Sequence, residues 1–395
     1  MKILFPYMAR WNSAHASRYF HLLTAVADQG HEVYVIQPPS RGSGEANDID
    51  VPLSGHHRVH VTTVPMPQVL WTRQLPFEKL LKKLLYTLKS WRTVRRLTRT
   101  HRIDLWYLYN LPQAVYLLGT HPAVVFDLAD DLLGMLQMEM SISSRHPAYR
   151  LARGLLHWIY RRSDFVICIS GPLYESIDHP RRFIIPNGAP AAPVRAGERD
   201  AEPGKKGRRL RVGYVGAFEY SMALDQIVEV AARMREADFV LVGAGREFPR
   251  IRAEVERRGL RNVTLTGALP HAEAMKVIRA VDICLNVFNK TPVSHAVSPL
   301  KLFEYLSFQK PVISTRLKEV ERIDGGFLFF GDTVDEIVER IQYIACHEDK
   351  ARQLAELGAA VVRKRYSWDV LAAQFISAVH TSCPRLLPGV SPENF

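Results

Sequence analysis

At 395 residues the chain exceeds the length that one hydrophobic core serves, and its 47% hydrophobic and 23% charged residues match a folded globular protein of about two domains, which excludes a disordered chain. No run reaches the roughly 18 to 20 apolar residues of a membrane-spanning helix, and the start "MKILFPYMARW" lacks the apolar stretch and cleavage site of a signal peptide, so a cytoplasmic protein is expected. The net charge of +12 is concentrated, because Arg73 to Arg102 holds ten basic residues against a single acid, Glu78.

In chain order, "KILFPYM" is strand-like, "SAHASRYFHLLTAVADQGH" has helical spacing and a stop at Gly30, and "EVYVIQPP" is strand-like again. That β-α-β order predicts a parallel sheet with a right-handed crossover. The basic segment follows, with Leu81, Leu84, Leu85, Leu88 and Trp91 at helical spacing among Lys82, Lys83, Lys89, Arg92, Arg95, Arg96 and Arg99. Two readings stand for residues 77–102: a domain helix with a solvated basic face, or a basic amphipathic helix lying on an anionic membrane surface. Nucleic acid is not expected, since no aromatic stacking pattern or reader motif accompanies the charge. "IDLWYLY", "AVVFDLADD", "SDFVICIS" and "RRFIIPNG" then complete a Rossmann-like domain over residues 1–188.

Residues 189–210, rich in Ala, Pro, Gly and charge, read as a linker. A second Rossmann-like domain over 211–366 begins with "RVGYVGAF", a helix from about Leu224, "DFVLVGAG", a helix from about Phe248, and "NVTLTGAL". It ends with "AVDICLNVF", "SPLKLFEYLSFQ" and "KPVIST". The tail 367–395 opens with an amphipathic helix, "SWDVLAAQFISAVH". Cys168, Cys284, Cys346 and Cys383 are widely spaced, which predicts neither a disulfide nor a zinc site.

Ser298 to Thr315, "SPLKLFEYLSFQKPVIST", lies between two buried strands, so its helix starts at the carboxyl edge of the second sheet, where open α/β sheets bind ligands. Amides of the first turn, around Pro299 to Leu302, point outward there with the positive end of the helix dipole, a site for a diphosphate. Pro299 suits the first turn, and Lys301 adds a positive charge. Glu304, one turn on, stands where a carboxylate accepts hydrogen bonds from ribose hydroxyls; the plainer alternative has Glu304 complementing the dipole and Lys301 solvated. Gly216-Ala217, Gly243 and Gly245 stand at strand ends where backbone can approach a nucleotide. Phe248 takes the place of the third glycine of a dinucleotide fingerprint, which argues against a nicotinamide dehydrogenase. In "VVFDLADDLLGM" the acids Asp127, Asp130 and Asp131 cluster at the end of an apolar strand. Either one of them, Asp130 first, is a general base or orients an acceptor, or Asp130 or Asp131 caps the next helix.

These segments, with "LNVFNKTPVSHAV", "VTLTGALPH" and "YSWDVL" in the same order, resemble the glycosyltransferases of the GT-B fold, in particular the large family 4 type, over nearly the whole chain. The resemblance implies an α/β architecture of two Rossmann-like domains facing across a cleft, with a C-terminal helix crossing back to the N-terminal domain. It implies a nucleotide-diphosphate sugar, UDP- or GDP-linked, held by the second domain. The hydroxyl acceptor, lipid-linked or a surface-polysaccharide precursor, falls to the first. Glu304 would hold the ribose, and the stretch from Ser298 through Pro299 and Leu300 the diphosphate. Lys301 and Arg246 are the candidate cations, and Pro270 lies beside the base. Retention of anomeric configuration and no required metal are further implications.

The chain also departs from that family. Ala296 stands where many members carry a second glutamate, and no basic residue occurs from Gly216 through Asp225. Asn12, Ser13, His15 and Arg18 replace a glycine pair; they either face the acceptor or include the cap of the first helix. A nucleotide-sugar 2-epimerase shares the architecture, and a non-catalytic two-domain binding protein is the rival from another class.

Overall fold

The computed structural model describes residues 1–11, 17–39, 56–66, 78–190 and 208–386. Asn12, Ser13 and His15, and most of the expected linker, lie outside the described residues. The chain forms two units, Met1–Pro186 with Trp368–Phe395, and Asn187–Ser367.

The first unit is built on seven parallel strands: β1 (Lys2–Pro6), β2 (Glu32–Gln37), β3 (Val59–Thr63), β4 (Leu105–Leu108), β5 (Ala123–Leu128), β6 (Phe165–Cys168) and β7 (Arg182–Ile184), in the order β3-β2-β1-β4-β5-β6-β7. The central strands β4, β5 and β6 are buried at every position, as a sheet covered on both faces requires, and they read as apolar runs broken only by Asp127 in β5. Helices α1 (Ser17–Asp28), α2 (Glu78–His101), α3 (Leu132–Met140), α4 (Pro147–Arg162) and α5 (Gly171–Ser176) connect them. Edge strand β3 has no counterpart in the sequence reading, because its "VHVTT" is half-exposed and polar at alternate positions.

Helix α2 packs on a face that its sequence does not announce. Of the leucines at helical spacing, Leu81, Leu84 and Leu88 are 40%, 38% and 47% exposed and Leu85 is half-buried. The buried face is the opposite one, with Tyr86, Thr87, Ser90, Val94 and Leu97. Its serine and threonine hydroxyls are satisfied inside the fold, Ser90 Oγ lying 2.6 Å from the Tyr86 carbonyl and 2.7 Å from Tyr116 Oη, while Trp106 Nε1 donates to Thr98 Oγ1 at 2.9 Å; the buried Tyr86 hydroxyl has no partner among the described residues. A polar-looking stripe is therefore the packed one.

The second unit has β8 (Arg211–Val215), β9 (Asp238–Val242), β10 (Val263–Gly267), β11 (Ile283–Asn286), β12 (Val312–Ser314) and β13 (Phe329–Phe330), all parallel, in the order β10-β9-β8-β11-β12-β13. Its helices are α6 (Leu224–Arg233), α7 (Phe248–Arg257), α8 (His271–Ala280), α9 (Pro292–His295), α10 (Leu300–Ser307), α11 (Lys318–Ile323), α12 (Val334–Cys346) and α13 (Glu348–Val361). Both sheets follow the Rossmann order, with helices between the strands.

After α13 the chain returns to the first unit as α14 (Trp368–Ser382), which packs along α1. Phe375 lies 5.7 Å from the Tyr107 ring and 6.3 Å from that of Phe165, and Trp368 stacks on His21 at 5.6 Å. The expected return of the C-terminal helix is present.

Candidate active site

In the second sheet the strand order reverses between β8 and β11, and the ligand crevice of such a sheet lies outside the carboxyl ends at that point. Helix α10 begins there. Pro299 is its extended N-cap residue rather than part of the first turn, and Leu302 N bonds back to the Pro299 carbonyl at 3.0 Å. The amides of Leu300 and Lys301 are left without helical acceptors.

The side chain of Lys301 runs inward and is 9% exposed. Its Nζ ends 4.7 Å from the centroid of Tyr214, on β8, and 4.5 Å from that of Phe288, just past β11. It lies 3.0 Å from Met222 Sδ and 3.4 Å from Tyr214 Oη. Among the described residues no carboxylate comes within ion-pair distance of it. Burial without a counter-charge pushes its pKa down to about 7, so the solvated full charge expected of a surface lysine is not what this position offers. The two rings supply part of the missing stabilisation through cation–π contact.

Gly216 shares a strand face with Tyr214. A Cβ at Gly216 would come within 3.1 Å of Tyr214 Oη and 3.3 Å of Lys301 Cδ, so its missing side chain is the room the lysine occupies. The Ala217 carbonyl accepts from the Tyr214 hydroxyl at 2.6 Å. Gly243 and Gly245 leave room for the chain's own loop. They have φ of +143° and +156°, and added Cβ atoms would fall 1.8 Å from the Gly216 oxygen and 2.3 Å from the Phe218 oxygen. Arg246 is exposed, 3.9 Å from Glu219, and takes no part in the surroundings of Lys301.

Glu304, one turn beyond Lys301, accepts from His271 Nε2–H at 3.0 Å, and that bond raises the pKa of His271. His271 opens α8, with Pro270 as its N-cap residue. Ser298 is buried; its Oγ accepts from Asn187 N at 3.2 Å and its carbonyl from Asn187 Nδ2 at 2.6 Å, which fastens the segment ahead of α10. Tyr214, Met222, Phe288 and Asn187 were absent from the sequence reading. Tyr214 alone left a signal, its two-residue spacing from Gly216; the Met222 and Asn187 contacts span 79 and 111 residues.

In the first unit the three acids separate into three roles. Asp127 is fully buried; it accepts from Arg18 Nε at 3.0 Å, Arg18 Nη2 at 3.2 Å and the Tyr107 hydroxyl at 2.5 Å. Arg18 also donates to the carbonyls of Ile185 and Pro186, each at 2.9 Å. This network is sealed in the core, so Asp127 is not placed as a base nor Arg18 as an acceptor contact. Asp131 caps α3, accepting from Gly134 N at 2.8 Å. Asp130 keeps an exposed carboxyl. The protein mass around it, and after that the charge of Asp127, push its pKa up to about 6.

Two family models match the chain, one described as a glycosyl transferase 4-like domain over residues 15–188 and one as glycosyl transferase-like over residues 223–377. The protein TuaH of Bacillus subtilis (strain 168), described as a teichuronic acid biosynthesis glycosyltransferase, is 24% identical over 238 residues. That match covers 58% of this chain and 59% of the relative, about three-fifths of its length. Among solved structures, sucrose-phosphate synthase from Thermosynechococcus elongatus has a TM-score of 0.74 at 16% identity, covering 96% of this chain and 98% of its own. Anabaena HepE in complex with UDP-glucose has a TM-score of 0.69 at 17% identity, covering 96% and 100%. At these identities the structural likeness is one of fold.

Proposed function

The chain belongs to the GT-B-fold glycosyltransferases of the family 4-like kind, and from that premise we propose that it transfers a sugar from a nucleotide-diphosphate donor, held by the second unit, to a hydroxyl acceptor handled by the first. The observation that carries this reading is Lys301, a buried ammonium at the switch point of the second sheet with no counter-charge of its own. A diphosphate accepting from the Leu300 and Lys301 amides would supply that charge. As the bond to the sugar breaks, negative charge grows on the leaving phosphate, and a cation beside it stabilises the transition state more than the ground state. Lys301 thus does what a metal ion does in other transferases, and no bound metal is proposed.

Glu304 would accept from the ribose hydroxyls, oriented by His271. The HepE neighbour was solved with UDP-glucose, which favours a uridine donor, and the TuaH description favours a surface-polysaccharide acceptor. Retention of anomeric configuration is the default of this family type, with Asp130 orienting or deprotonating the acceptor hydroxyl.

Calorimetric titration tests the donor site. Glu304→Ala should weaken UDP or GDP by roughly 10- to 100-fold, the loss of charged hydrogen bonds, and leave inorganic pyrophosphate, which has no ribose, unchanged. Equal weakening of both ligands would remove Glu304 from the ribose. For the acceptor, Asp130→Asn should lower kcat/KM by roughly 10²-fold or more and flatten the acid limb of the rate profile near pH 6. A wild-type profile in the variant would leave the donor phosphate as the proton acceptor.

A further inference from the structure

The outward face of α2 changes character along its length. Leu81, Leu84, Leu88, Arg92, Arg96 and Arg99 follow one another at steps of three or four, all exposed, and lie within a narrow arc of the helix opposite Tyr86, Ser90 and Leu97. One continuous stripe, about 27 Å long at 1.5 Å per residue, is leucine over its first half and arginine over its second. Among the described residues, Lys89, Arg92, Arg96 and Arg99 have no carboxylate within ion-pair distance. Arg95 is fixed inward by the carbonyls of Leu118 and Thr120, and it shares with Trp91, Arg92, Arg96 and Arg99 an open groove of about 440 Å³. The buried Nε1–H of Trp91, which lines this groove, has no acceptor among the described residues.

A second apolar surface lies close by. The charge of Lys83, on the leucine half of α2, acts on Asp130, one residue before the cap of α3. Helix α3, "LLGMLQMEM", buries none of its residues, and Met135 and Met138 are exposed. Helix α3 packs against α4 on one side and leaves Met135 and Met138 as an exposed apolar surface on the other.

We propose that α2 and α3 dock the first unit on an anionic lipid surface, with the leucine half of α2 and the methionines of α3 below the headgroups and the arginine half at phosphate level. Charge complementarity selects this occupant. Arginines free of carboxylates suit any polyanion, but the leucines on the same stripe have no use against a nucleic acid and a clear one against acyl chains. The inference does not depend on the donor site. It bears on the acceptor, because Asp130 sits beside the inserted face, where the reactive end of a lipid-anchored acceptor would emerge.

Co-sedimentation of the full chain with vesicles tests it. Binding is expected to phosphatidylcholine vesicles containing about one-third phosphatidylglycerol, not to phosphatidylcholine alone, and to fall steeply by about 0.5 M salt. The triple variant Arg92→Gln, Arg96→Gln, Arg99→Gln should bind about a hundredfold more weakly, at about fivefold per charge removed. Leu81→Gln, Leu84→Gln, Leu88→Gln should bind at least roughly tenfold more weakly at low salt. All these side chains are exposed, so circular dichroism should show both variants folded. Three results would each overturn the proposal: binding untouched by either triple variant, equal binding to neutral vesicles, or no vesicle binding at all. In the last case, tight binding to a single-stranded RNA oligomer would assign the arginines to nucleic acid, and a concentration-dependent dimer abolished in the leucine variant would assign the leucines to a second copy of the chain.

Discussion

Lys301→Met is expected to weaken nucleoside diphosphate binding by roughly a hundredfold or more and to abolish most transfer activity, while raising the thermal stability of the ligand-free second unit at neutral pH. The two effects have one origin. A folded-state pKa of about 7, against 10.5 for a free lysine, means that the fold opposes the charged form. That penalty is fully present below pH 7 and fades as pH rises toward 10.5, where the unfolded chain also carries neutral lysine; at about 1.4 kcal/mol per pH unit it reaches a few kcal/mol at neutrality. Methionine keeps the unbranched stem between Tyr214 and Phe288 and removes the penalty.

The same proton gives the binding a pH dependence. Near pH 7 about half of the free protein carries it, and a bound diphosphate favours the protonated form. Affinity should therefore fall by up to about tenfold per unit as pH rises above 7, with uptake of up to one proton on binding. Titrations in two buffers of different ionisation enthalpy measure that uptake. A flat affinity between pH 7 and 9, or equal affinity in the methionine variant, would exclude Lys301 from the donor site.

Asp127→Ala should lower the stability of the first unit by about 3–5 kcal/mol, because it leaves the guanidinium of Arg18 buried without its carboxylate. For a unit of this size that corresponds to roughly 10 °C in the melting temperature. The transition of the second unit should not move, since the network lies wholly within the first. The paired variant Asp127→Ala, Arg18→Met should recover part of the loss, and the double-mutant cycle with Arg18→Met alone should give a coupling of a few kcal/mol. If Asp127→Ala instead abolished turnover in a protein of unchanged stability, the carboxylate would be catalytic and the present assignment wrong.

Most strands were legible because a parallel sheet covered on both faces writes each strand as an apolar run, as in "FVIC" and "ICLN". Edge strand β3 escaped because one of its sides faces water. The packed face of α2 was not legible because hydroxyl-bearing residues look polar in a sequence. Only the fold shows Ser90 and Thr98 bonded internally. The segment from Pro299 to Glu304 was legible as a site from its position at a strand's carboxyl end, but its electrostatics were not. What makes Lys301 unusual is the company of Tyr214, Met222 and Phe288, drawn from separate stretches of chain. Likewise three neighbouring acids gave no sign of which would meet Arg18, since that contact spans 109 residues.

The return of α14 to the first unit bears on the order in which the protein is made. The segment Asn187–Ser367 is continuous, so the second unit is complete on the ribosome while the first still lacks Trp368 and Phe375. At 5–20 residues per second, synthesis of the inserted unit takes roughly 10 to 40 s. Throughout that interval the surfaces of α1, Tyr107 and Phe165 that α14 will cover stay open to solvent or to a chaperone. The half that begins translation is the last to close.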